Sequence, residues 1–259
     1  MRQKSNASET LYQQLHPRLA AWFRATYGNF TDAQLRCVPS ILAGESILLT
    51  SPTGSGKTLA GFLGVFDHLL RQLDAGTLSL GVHCLYVSPL RALTYDIGKN
   101  LRAPIVGMGL EKELLVHVRT GDTSASERAK FRRKPAHFLV TTPESLAVLL
   151  AQESYAAHLA SCRSVIVDEL HSFAGNKRGV DLSLSLERLQ QLVRQPLCRV
   201  GLSATAAPLS LLGKFLVGDD RPCRIAEAQI EKESIVEVFS PLRQKPYPPA
   251  GYTGVRLYA

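Results

Sequence analysis

Eight residues, Ser51-Pro-Thr-Gly-Ser-Gly-Lys-Thr58, follow the apolar run Ile47-Leu48-Leu49 and precede a stretch of helical periodicity. A glycine-rich turn set between a strand and a helix is a phosphate-binding loop, and it constrains the fold more than any other feature of the chain. Gly54 and Gly56 let the backbone of Thr53–Gly56 turn tightly enough to aim successive N–H groups at anionic oxygens, an approach that side-chain bulk would prevent. The helix expected from Lys57 adds the positive end of its dipole. Lys57 is placed to reach the β and γ phosphates of a bound triphosphate, and the Thr58 hydroxyl to ligate Mg²⁺. Each charged hydrogen bond of this kind is worth roughly 1.5–3 kcal/mol. One position departs from the pattern: its first residue, usually Gly or Ala, is Ser51.

Around the loop the chain reads as α/β. Leu11, Leu15, Leu19, Trp22 and Phe23 recur at helical spacing between Glu9 and Tyr27, and a second helix is expected over Asp32–Leu42. Short apolar runs at 47–50, 82–88, 114–119, 138–141, 165–167 and 199–203 read as buried strands. Helical stretches at 58–73, 91–102, 125–133, 143–150 and 181–193 separate them. Of these, 181–193 is ambiguous, because Leu182, Leu184 and Leu186 also fit a strand's period of two. The alternation predicts a mostly parallel sheet with helices on both faces. Residues 1–45 are expected to be helical and part of the same domain, 46–217 to form its nucleotide-binding body, and 218–259 to be an irregular tail or linker with a possible strand at 235–239.

A second element reinforces the loop. Val165-Ile-Val-Asp-Glu-Leu-His171 delivers two adjacent carboxylates at the C-terminal end of a buried strand, the edge where α/β sheets place ligands. Asp168 suits Mg²⁺ held through water, and Glu169 suits orienting and deprotonating an attacking water.

Charge and cysteines narrow the class further. The 259 residues carry 30 Lys and Arg against 22 Asp and Glu, a net +8 that biases the chain mildly toward polyanions, although ordinary solubility accounts for it equally. Five cysteines without a C-x-x-C pair suggest neither a zinc site nor a disulfide framework, and read as reduced core thiols of a cytoplasmic protein. No apolar run is long enough to span a bilayer, so no membrane partner is expected. A basic series, Arg128, Lys130, Arg132, Arg133 and Lys134, follows a capping box at Ser124–Glu127. A solvated helix face explains it better than phosphate contact.

In order along the chain stand Gln34, the 51–58 loop, Pro89-Leu-Arg-Ala-Leu93, Thr141-Thr-Pro-Glu-Ser-Leu146, Asp168–His171 and Ser203-Ala-Thr205. This series resembles superfamily 2 helicases. Asp-Glu-Leu-His at 168–171, Arg119-Thr-Gly-Asp-Thr123 and Gly175-Asn-Lys-Arg-Gly179 are similar to the large helicase-related (Lhr) DExH enzymes. The resemblance spans about residues 11–217 and implies a RecA-like P-loop NTPase domain.

By position, it implies that Gln34 reads the adenine edge with Phe30 against the ring, and that His171, Ser203 and Thr205 couple hydrolysis to strand movement. Arg91, Gly121, Asp122, Thr142, Pro143 and Glu144 would lie on the face that grips single-stranded DNA or RNA without reading bases. It implies further a DNA-repair motor, cytoplasmic and nucleoid-associated on DNA, that needs a second RecA-like domain in the same protein or in trans. No residues after Thr205 resemble that domain's motifs. An arginine finger supplies a factor of about 10³–10⁵ in phosphoryl transfer, so this chain alone is expected to bind ATP·Mg²⁺ weakly, hydrolyse it slowly and leave duplexes intact, as a piece or half of a larger motor. The alternative is a non-motor module that binds nucleic acid or a partner with little or no turnover.

Overall fold

A computed structural model describes residues 2–89, 97–193, 195–204 and 208–229. Helices α1 (Arg2–Gln14), α2 (Pro17–Thr26) and α3 (Asp32–Leu42) lead into β1 (Ile47–Thr50), α4 (Lys57–Asp74) and β2 (Cys84–Val87). After a π-helical turn over Ile97–Arg102 come α5 (Ala103–Gly107), β3 (Val116–Arg119), α6 (Ala125–Arg133), β4 (Phe138–Thr141), α7 (Pro143–Leu150) and α8 (Glu153–Leu159). Then follow β5 (Ser164–Val167), a 3₁₀ turn at Leu170–Ser172, α9 (Lys177–Val193), β6 (Cys198–Ser203), α10 (Leu209–Val217) and β7 (Arg224–Glu227).

The seven strands form one sheet in the order β3-β4-β2-β5-β6-β1-β7, with every pair parallel. Parallel neighbours require crossovers, and the helices that supply them cover both faces. Side chains alternate across the strands accordingly. Ile47, Leu49, Cys84, Tyr86, Phe138, Val140, Ile166, Val200 and Leu202 face a core shared with α1–α4. Leu48, Leu85, Val87, Leu139, Val165 and Val167 face a second core shared with α7–α10. The helix α4 runs close against α3 because residue 64 is Gly: a Cβ there would lie 2.5 Å from Cγ2 of Ile41. Among the described residues no helix is long and apolar enough to cross a membrane. Cys37, Cys84, Cys162 and Cys198 are buried, and burial pushes the Cys162 and Cys198 thiols up to about 12.

Two details depart from the sequence reading, and an ambiguous stretch resolves as the helix expected. The N-terminal helical stretch breaks at His16-Pro17, since proline has no N–H to donate and occupies the first turn of α2. The ambiguous stretch is helical: Leu182, Leu186, Leu189 and Val193 are buried at steps of four and three, while Leu184 is 59% exposed. The segment after Gly218, expected to be irregular, contributes β7, paired in register with β1 from Ile47↔Arg224 to Thr50↔Glu227. The expected strand at 235–239 lies outside the described residues.

Candidate nucleotide site and nucleic-acid face

The loop begins by extending strand pairing. Thr50 is in register with Ser203, and the Ser51 N–H donates to the Ser203 carbonyl at 3.1 Å. Gly54 and Gly56 then adopt left-handed φ values of +80° and +83°. A Cβ on Gly56 would also sit 3.0 Å from Nε2 of Gln34. Ser51, the departure from the usual pattern, turns inward: its hydroxyl lies 2.6 Å from that of Ser55, bracing the turn from within. Gly56 caps α4 without a side-chain hydrogen bond, so the first amides of this 18-residue helix are left for an external acceptor.

Lys57 is only 5% exposed, and its ammonium has no hydrogen-bond partner among the described residues. Across the cleft, 3.8 Å away, is Oε1 of Glu169. A buried ammonium in this condition is costly by itself, and a phosphate would supply the missing acceptors.

The acidic pair comes off β5. The Asp168 N–H donates to the Val87 carbonyl at 2.8 Å, and its carboxylate is 2% exposed. Oδ1 accepts the Glu169 N–H at 2.8 Å, and Oδ2 accepts the hydroxyls of Tyr86 at 2.6 Å and Thr58 at 3.3 Å. Thr58 and Asp168, assigned to the metal by separate motifs, therefore meet. Glu169 has φ +51°, a backbone strain found among the described residues at this one non-glycine position. From it the side chain reaches both Lys57 and His171, whose Nε2 is 3.4 Å from Oε2. The other ring nitrogen of His171 accepts the Ala204 N–H at 3.3 Å and lies 3.1 Å from the Ser203 hydroxyl. That network assigns the proton of the neutral ring to Nε2, facing Glu169. Ser203 thus contacts the phosphate loop through its carbonyl and the acidic motif through its hydroxyl. Thr205 lies outside the described residues.

A cleft of about 550 Å³ opens here, within the range for small-molecule sites. Its lining includes Thr53, Gly54, Gly56, Lys57, Thr58, Glu169 and Gln34, and, from the N-terminal region, Tyr27 and Asn29. Gln34 is buried in a capping box, its Oε1 accepting the Thr31 N–H at 2.9 Å, so part of its hydrogen-bonding capacity is committed to starting α3. Phe30 is not brought to the cleft. It is 7% exposed and stacked on Phe23 at 4.2 Å, among the residues of the core. The aromatic ring at the cleft is Tyr27, 42% exposed at the C-terminal end of α2. The sequence reading missed it because Tyr27 continues an aromatic cluster, with Trp22 and Phe23, that reads as core.

The residues expected on the strand-gripping face, Arg91 apart, lie elsewhere on the same sheet edge. β3 and β4 end side by side with Arg119 opposite Thr141, whose hydroxyl donates to the Arg119 carbonyl at 2.6 Å. Gly121 and Asp122 follow β3 and are exposed, held by Arg128, which donates to the carbonyls of Gly121 and Thr123 at 2.9 and 2.8 Å. Thr142 caps α7, accepting the Ser145 N–H at 3.4 Å, with Pro143 buried behind it. Glu144 pairs with Arg178 at 2.5 Å. Arg178 also lies over the Phe173 ring, which gives the Gly175–Gly179 motif a structural duty. Arg91 is outside the described residues.

Residues 31–211 match the family described as DEAD/DEAH box helicase. The chain is 45% identical over 246 residues to an ATP-dependent helicase Lhr-Core of Methanothermobacter thermautotrophicus, covering 91% of this chain and 28% of that protein. Against an Lhr helicase/probable uracil glycosylase of Mycolicibacterium smegmatis it is 43% identical over 205 residues, 76% of this chain and 13% of the relative. Among solved structures, Mycobacterium smegmatis helicase Lhr bound to ssDNA and AMP-PNP superposes with a TM-score of 0.75 at 40% identity, over 83% of this chain and 28% of that one. The chain thus spans less than a third of the length of these curated relatives. The sheet order, the helices on both faces and the likeness to such structures establish the RecA-like fold. With the family match running from the cap of α3 into α10, this chain belongs to the DEAD/DEAH box helicases, in company with Lhr-type relatives.

Proposed function

We propose that this chain is the ATP-binding N-terminal motor domain of an Lhr-type DNA or RNA helicase. Hydrolysis would drive movement on nucleic acid once a second RecA-like domain completes the site. The observation that carries this reading is the buried Lys57 ammonium, without a hydrogen-bond partner among the described residues and facing Glu169 at 3.8 Å, beside a Thr58–Asp168 contact of 3.3 Å. The donor set fits a magnesium-bound triphosphate: uncapped amides and an ammonium for phosphate, a hydroxyl and a carboxylate for a hard cation.

In this reading Thr53–Gly56 and the α4 terminus cradle the phosphates, and Lys57 neutralises charge on the β and γ groups. Thr58 and Asp168 would hold Mg²⁺, whose part is to offset charge developing on the phosphoryl oxygens. Glu169 takes the proton from the attacking water, and His171 transmits its position to Ser203, and onward to Thr205. Gln34 offers its amide to the adenine edge, with the Tyr27 ring lining the same cleft. The exposed Gly121–Asp122 loop and the start of α7 at Thr142–Glu144, with Arg91, would follow a strand through its phosphates. The Lhr structure with ssDNA and AMP-PNP supports both halves of this assignment. A role in DNA repair and a cytoplasmic, nucleoid-associated location belong to the same proposal.

The test is ATP turnover with and without single-stranded DNA or RNA, for the chain and for Glu169→Gln. Polymer-stimulated turnover that Glu169→Gln abolishes while keeping ATP binding supports the motor. ATP binding that neither polymer nor an added second domain converts into turnover would instead leave a non-motor module.

A further inference from the structure

The geometry points to Tyr86 as the positioning residue of the metal carboxylate: its buried phenol presets Asp168 for the cation. This rests on the nucleotide-site reading above and adds to it a residue on a strand that none of the motifs includes. Tyr86 stands on β2, opposite Ile166 of β5, and is 1% exposed. Its ring is stacked on Phe62 of α4 at 5.2 Å and 28°, which fixes the ring against the helix that follows the phosphate loop. That oxygen emerges at the C-terminal edge of the sheet, 2.6 Å from Oδ2 of Asp168.

Three donors thus meet one carboxylate that is 2% exposed: Glu169 N–H on Oδ1, and Tyr86 and Thr58 hydroxyls on Oδ2. They differ in what a cation would do to them. Thr58 must turn its lone pairs to the metal, and the Glu169 N–H belongs to a residue held in a left-handed backbone. Tyr86 is held on the sheet and against α4. Its hydrogen bond restores part of the hydration that Asp168 loses on burial and fixes the rotation of the carboxylate. The second lone pair of Oδ2 is then directed toward Thr58, where the cation or its water would sit. Without the phenol the carboxylate can rotate, and an orientation cost falls on every metal-binding event.

Tyr86→Phe keeps the ring and deletes the donor. A fluorescent ATP analogue titrated in EDTA, and then at saturating nucleotide with Mg²⁺, separates phosphate gripping from metal gripping. We expect metal-free nucleotide affinity within about twofold of wild type and an apparent Mg²⁺ dissociation constant raised about tenfold, the loss of one charge-assisted hydrogen bond. On an Asp168→Ala background the same change should leave the Mg²⁺ curve where it is. If Tyr86→Phe does not fold, 3-fluorotyrosine placed at 86 keeps shape and hydroxyl while strengthening the donor, and must shift the Mg²⁺ midpoint. A wild-type Mg²⁺ curve in Tyr86→Phe, or in the fluorinated chain where Phe does not fold, overturns the role of Tyr86 alone. Absence of nucleotide binding by the wild-type chain overturns the site reading, and this role with it.

Discussion

The C-terminal edge of the sheet carries two regions built on opposite terms. Over β5, β6 and β1 polarity is left unmet: Lys57 is buried without a hydrogen-bond partner among the described residues, Gly56 caps α4 with no side chain, and Glu169 holds a left-handed backbone. Over β3 and β4 several groups at the edge are paired within the chain, while Nε2 of His117 and Nε of Arg119 are buried without a hydrogen-bond partner among the described residues. Thr142 caps α7, Arg128 ties down the Gly121 loop, Thr141 binds the Arg119 carbonyl and Glu144 pairs with Arg178. The first region leaves an ammonium and helix-start amides for a ligand, and the second is held by caps and ion pairs within the chain. Substitutions should therefore separate: changes in the first alter nucleotide binding with little loss of stability, and changes in the second leave nucleotide binding unchanged.

The largest effect is expected for Lys57→Met. ATP affinity should fall at least about a hundredfold, since two or more charged hydrogen bonds of roughly 1.5–3 kcal/mol disappear. The melting temperature should hold or rise, because a buried ammonium without acceptors is replaced by an apolar chain of similar length. Calorimetric binding beside thermal unfolding checks both, and a large drop in melting temperature would break the contrast.

Next is acid. Burial lowers His68 and His137 to about 4, and lowers His83 and His117 as well. Between about pH 6.5 and 4 the unfolded chain takes up protons that the folded chain refuses, so stability should fall as pH drops through that window. Scanning calorimetry across it should show a steadily lower midpoint, and a flat profile would contradict the burial of these rings.

Thr142→Ala should then cost about 1 kcal/mol of stability through the lost cap while ATP affinity stays unchanged. Chemical denaturation and nucleotide titration of one variant read both quantities. Smallest of all is Glu144→Gln, within about 1 kcal/mol because its ion pair with Arg178 is solvent-exposed. Its informative readout is the salt dependence of single-strand binding, where loss of a carboxylate beside the grip should strengthen affinity at low salt.

The site's backbone was legible in the sequence because its chemistry is local: a glycine turn, a Lys-Thr pair and an acidic strand end each fit within eight residues. The parallel sheet was legible because every interior strand is a short apolar run. β7 was not, since Arg224–Glu227 buries only Ala226, and pairing with β1 rather than hydrophobic pattern makes it a strand. That Tyr27 lines the cleft while Phe30 is buried against Phe23 was not legible, because an aromatic cluster fixes no direction for any one ring until the helix ends are placed. Tyr86 escaped notice for a related reason: within Cys84–Val87 it reads as one more apolar side chain, and its hydroxyl gains meaning only from β5 lying alongside.

Isothermal titration of ATP into the chain, first in EDTA and then with Mg²⁺, tests the central claim most directly. The account predicts one binding site that Mg²⁺ tightens and that Lys57→Met removes. No ATP binding in either buffer by the folded wild-type chain would contradict it.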